Sequence, residues 1–74
     1  MEASSLIKMA NQIGTFFESM PDHQQAVEDI ATHLKRFWAP KMRKIIVDSI
    51  DQKQDAEMMG IVREAILTHR DLLA

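Results

Sequence analysis

Apolar side chains recur three or four residues apart along nearly the whole chain, and no stretch alternates apolar with polar. Helical side chains return to one face about every 3.6 residues and strand side chains about every two. The pattern therefore commits this chain to helices packed on one another. Only two prolines and two glycines interrupt it, so breaks must be few. At 74 residues the chain falls in the range of one domain. The expectation is all-α: a small bundle of about four short helices forming a single helical domain over residues 1–74.

The first helix is expected from about Ser5 to Ser19, with the hydroxyl of Ser4 or Ser5 accepting a free backbone N–H as N-cap. Leu6, Ala10, Ile13, Phe17 and Met20 form its inward stripe, with Met9 and Phe16 on the flank. Pro21 ends it, because the residue before a proline is pushed out of the helical region. Asp22 opens the second helix, and Gln25 follows at the spacing of a capping box. Val27, Ile30, Ala31, Leu34 and Trp38 make a narrow stripe between Ala26 and Phe37. Glu28 and Asp29 come early and Lys35 and Arg36 late, as the helix dipole favours. Ala39-Pro40 makes a corner, Pro40 suiting the first turn of a third helix where no N–H is needed. That helix points Met42, Ile45, Ile46 and Ile50 inward and fades into a polar loop at residues 51–55. Asp55 is the expected cap of a last helix over about residues 56–72, with Met58, Ile61, Val62, Ala65, Ile66, Leu72 and Leu73 as its apolar set. Gly60 inside that helix costs up to about 1 kcal/mol against alanine.

Ile7, Val47 and Leu67 fall well off these stripes. Either a partner covers a second apolar face, or the core wraps further round than the stripes suggest. Charge is uneven too. The formal net is −2, yet residues 35–44 carry five positive charges and no negative one. The other 64 residues hold four basic and eleven acidic side chains, a balance of −7. A basic run with aromatics across a helix–corner–helix is one form of nucleic-acid reader. Here Trp38 lies mid-stripe and belongs to the core, the third helix turns apolar after Lys44, and the acidic remainder repels phosphate. Nucleic acid is therefore not expected as a partner. Beyond a merely solvated corner, the run suits protein docking, with Arg36, Arg43 and Lys44 facing carboxylates around an apolar centre.

Catalytic constellations are thin. There is no cysteine, so neither a thiolate nucleophile nor an iron–sulfur ligand is available. His23, His33 and His69 lack the spacing that puts two metal ligands on one helical face, and His69 reads as a packed residue of the last stripe. Gly14 and Gly60 cannot build a phosphate loop or a dinucleotide fingerprint. No apolar run exceeds three residues, far short of the roughly 20 a membrane span needs. The opening residues lack a secretory pattern, so a small cytoplasmic protein with no membrane partner is expected.

Several blocks together resemble a known family. Met9-Ala10-Asn11-Gln12-Ile13-Gly14, then Phe16-Phe17 and Met20-Pro21-Asp22, look like the opening of the delta subunit of NAD-dependent, molybdenum-containing formate dehydrogenases. His33-Leu34-Lys35-Arg36-Phe37-Trp38-Ala39-Pro40-Lys41-Met42-Arg43 is similar to that family's central segment, and Val62-Arg63-Glu64-Ala65 to its C-terminal helix. The likeness covers nearly the whole chain. It departs at residues 51–60, where a glycine-containing turn is expected and Gln, Lys, Asp and paired Met stand instead. The resemblance implies a non-catalytic accessory subunit with no cofactor of its own. Its partner would be the large catalytic subunit of formate dehydrogenase, which holds the molybdenum cofactor and iron–sulfur clusters. Other subunits would pass electrons through FMN to NAD. The small chain would support assembly, stability or cofactor insertion. Among motif positions, Trp38 and Pro40 are assigned to the fold, and Asn11, Phe37 and Arg43 to partner contact. The candidate contact set is thus Asn11, Arg36, Phe37, Arg43, Lys44 and Val47. The alternative is a free-standing helical homodimer acting as an adaptor or regulator, since the isolated chain could pair with itself.

Overall fold

The computed structural model describes residues 2–74. Its elements are α1 (Ala3–Glu18), α2 (His23–Phe37), α3 (Pro40–Asp51), α4 (Gly60–Thr68) and the short α5 (Arg70–Leu73). The all-helical bundle expected from the apolar spacing is what forms. α2 is its hub, packing against α1, α4 and α5, while α1 also meets α3 and α4.

Local chemistry sets most of the boundaries. The Asp22 carboxylate accepts the Gln25 backbone N–H at 3.1 Å, the cap expected for α2. Trp38 closes that helix with its N–H donating to the Leu34 carbonyl at 3.0 Å. Pro40 stands at the first position of α3 as anticipated. α1 differs: it begins at Ala3, with Glu2 in the cap position. Ser4 and Ser5 lie inside its first turn, and the Ser4 hydroxyl donates to the Glu2 carboxylate at 3.3 Å instead of capping the backbone.

The last helix is shorter than expected. α4 starts at Gly60, with Met59 as its cap residue, and α5 follows after a break at His69. Asp55 is therefore not a cap. Its carboxylate accepts Arg63 Nε at 2.7 Å, and its carbonyl accepts the Met58 N–H at 3.0 Å, folding residues 55–58 into a turn. Gly60, at the first helical position, escapes the interior penalty. His69 is half-buried at the α4–α5 joint and not mid-stripe.

The turn leaving α3 has the geometry of a Schellman motif. The Lys53 N–H donates to the Ile50 carbonyl at 3.0 Å and the Gln54 N–H to the Ser49 carbonyl at 2.8 Å. Lys53 takes a left-handed φ of 57°, the place where glycine usually sits. A lysine therefore holds a turn of the kind for which glycine is the usual residue.

Leu6, Ile30, Leu34, Ile46, Val62 and Ile66 are fully buried at the centre. Two helices are rotated relative to the expected stripes. On α1 the buried set is Leu6, Ile7, Ala10 and Gly14. On α3 it is Arg43, Ile46 and Ser49, with Met42, Ile45 and Ile50 only half-buried. Gly14 explains the first rotation: a Cβ there would lie 2.6 Å from a Val62 methyl, so its absence lets α4 press against that side of α1. Ile7 is buried and Val47, on α3, half-buried, so of the three off-stripe residues Leu67 alone stays exposed, at 45%. The core does wrap further round.

Candidate functional site

Apolar surface that the core does not reclaim gathers elsewhere. Phe16 is 73% exposed, Phe37 69% and Met9 41%. All three belong to the junction of α1 and α2. Met9, Gln12, Ile13 and Phe16 from α1, with Phe17, His33 and Trp38, line a hollow of about 440 Å³. A second hollow of about 200 Å³ is lined by Phe17, Asp29, Thr32, His33, Arg36 and Phe37. Phe17 and His33 border both, so the two form one continuous face.

Its floor is an aromatic chain. Phe16 meets Phe17 edge-on with ring centroids 5.0 Å apart, and Phe17 approaches His33 at 6.4 Å. His33 lies against Phe37 at 4.7 Å, and the Arg36 guanidinium sits 6.0 Å from the Phe37 ring centre. Aromatic faces of this kind supply large contact area with few torsions to freeze. Such a surface can grip an apolar side chain and steer it with charge. Among the described residues no group of three His, Cys, Asp or Glu side chains could hold a metal ion.

The six candidate contact residues divide between outside and inside. Arg36 and Phe37 are exposed on the aromatic face. Lys44 is exposed and Val47 half-buried, and both line a separate hollow of about 370 Å³ with Pro40, Asp48, Arg70 and Leu73. Lys44 also pairs with Asp48 one turn along α3, at 3.2 Å. Asn11, half-buried, and Arg43, buried, spend polar atoms on hydrogen bonds within the chain. The Asn11 amide donates to the Glu57 carbonyl at 2.9 Å and accepts the Met59 N–H at 3.0 Å, tying the α3–α4 link to α1.

Arg43 is 7% exposed, and its Nη1 donates to the Lys35 carbonyl at 2.9 Å. That carbonyl belongs to the last turn of α2, where four acceptors lack helical partners and the dipole is negative. Arg43 thus caps α2 from across the corner, where a planar cation suits both needs. Its Nε finds no acceptor among the described residues.

Phe16 and Met9, on the flank of the α1 stripe, carry much of the exposed face. The signal was present: Met9, Ile13 and Phe16 repeat at helical spacing as a second stripe beside the first. His33 as the link between the two hollows had no such signal, since it depends on how α1 crosses α2.

With the geometry in place, comparison with known proteins adds one finding. The family model described as the NADH-dependent formate dehydrogenase delta subunit, FdsD, matches residues 5–66. Neither the curated proteins nor the solved structures give a match.

Proposed function

The chain belongs to the family of NADH-dependent formate dehydrogenase delta subunits, and from that premise we propose that it is a non-catalytic accessory subunit of such an enzyme. It binds the large catalytic subunit in the cytoplasm and supports assembly, stability or insertion of the molybdenum cofactor. The cofactors of the reaction (molybdenum centre, iron–sulfur clusters, FMN and NAD) sit in the other subunits. This chain's own donor set does not fit an iron–sulfur cluster, for it has no cysteine. The observation that carries the proposal is the family match across residues 5–66. The exposed aromatic face supports it, because an apolar surface rimmed by charge is what a docking subunit requires.

The test is co-purification. The tagged chain is expressed with the remaining subunits and recovered from cell extract, the co-eluting chains are weighed, and their molybdenum is measured. A large molybdenum-bearing chain is expected. Recovery of the tagged chain alone, sedimenting as a tight homodimer, would overturn the proposal in favour of a free-standing adaptor.

A further inference from the structure

We infer that the α1/α2 aromatic face is the docking site for the larger subunit, and that its occupant is an amphipathic helix carrying apolar anchors flanked by carboxylates. This rests on the accessory-subunit reading above and specifies the surface and the chemistry of what covers it.

The apolar half of the argument comes from exposure. The three most exposed large apolar side chains outside α4 and α5, Phe16, Phe37 and Met9, converge on this one face. The half-buried Phe17 and the buried Trp38, both packed into the core, line the hollow, so little ordering is lost when a guest side chain enters.

Charge decides the kind of guest. Arg36 lies on the rim beside Phe37, and the basic run of residues 35–44 continues from that end. Lys35, Arg36 and Lys41 form no ion pair among the described residues. Asp29 is the acid on this face, and its carboxylate already accepts the Gln25 amide at 2.9 Å. A guest bearing Asp or Glu beside its apolar anchors would find the unpaired Arg36 on the rim of the face. A second copy of this chain fits less well, since a two-fold contact through this face would bring two Arg36 cations together without adding an acid to meet them beyond Asp29.

Backbone chemistry favours a helix over an extended segment. A guest that binds as an added strand needs a sheet edge to pair with, and the described residues hold no strand. A helix satisfies its own backbone and presents anchors at i, i+3, i+4 and i+7 to a groove between two helices.

The experiment uses the full chain with the other subunits, measuring the dissociation constant of the complex for wild type, Phe16→Ser, Phe37→Ser, Arg36→Glu and the distant Leu67→Ser. Circular dichroism checks that each variant keeps its helicity. Either Phe variant should weaken binding roughly 10- to 30-fold. Arg36→Glu should weaken it as well and flatten its dependence on salt. Leu67→Ser should bind as wild type does. A photo-crosslinking residue at position 37 should capture an Asp/Glu-rich helical segment of the large subunit. If the complex forms but the Phe and Arg variants bind normally, or a basic segment is captured, the inference fails while the accessory-subunit reading stands. If wild type binds no other subunit, both fall. A wild-type homodimer that Phe16→Ser dissociates would assign the face to a second copy instead.

Discussion

Gly14 holds the closest approach between α1 and α4, with the place of its missing Cβ 2.6 Å from a Val62 methyl. Valine is stiff at χ1 and Val62 is fully buried, so that methyl has nowhere to retreat. Alanine is the better helix former by about 1 kcal/mol, but overpacking a tight core costs about 1–3 kcal/mol. Gly14→Ala should therefore lower the melting temperature. Combined with Val62→Ala it should cost less than the sum of the two single changes, a coupling that thermal melts can measure. Lys53 presents the opposite case, a side chain at φ 57° where none is needed. Left-handed strain of about 1–2 kcal/mol outweighs the roughly 0.4–1 kcal/mol that glycine loses through its freer unfolded chain. Lys53→Gly should thus raise stability by up to about 1 kcal/mol in urea titration, and a loss would show that this turn carries no such strain. Neither role was visible before folding. A glycine within a helical stripe reads only as a weak spot until its neighbour across the bundle is known.

Among the described residues, Asp or Glu side chains tie pairs of elements together at three places. His23 meets Glu64 at 2.8 Å between the start of α2 and α4, and Arg70 pairs with Asp51 between α5 and α3. The third tie joins the α3–α4 link to α4 through Asp55 and Arg63. The hydrogen bond from Arg63 holds the Asp55 carboxyl below the ordinary aspartate value, against a smaller upward push from burial. With the folded value below the unfolded one, stability from this pair is full above about pH 4. It fades as pH falls through the lowered folded value. Asp55→Asn should therefore be less stable than wild type at neutral pH, and the gap should close in acid. Urea midpoints at about pH 7 and about pH 3 check this, and a gap indifferent to pH would exclude the ion pair. At this scale the sequence was most readable where a local rule acts alone, as with Asp22, Pro21 and Pro40. It was least readable across residues 52–59, where Asn11 and Arg63 reach in from other elements and override the cap that Asp55 offers locally.

For the whole molecule, the division between core and docking face follows from how α1 crosses α2. Phe16 and Phe37 keep most of their surface in water in the isolated chain, so folding gains little from them. Phe16→Ser and Phe37→Ser should leave the melting temperature within about 2 °C of wild type, and a larger drop would place those rings in the core. The basic corner was legible from charge alone, and Arg36 and Phe37 do lie outward on one face. What sequence could not supply was the direction of Arg43 and Asn11. Both have the polarity of contact residues, and both bond backbone groups of this chain that are left free only once the helices end nearby. The Asn11 bond has a practical corollary. The amide proton of Met59 is held by a side chain 48 residues earlier, so its exchange with deuterated solvent registers the condition of α1. One resonance from the far end of the chain is thereby a gauge of whether the first helix is seated.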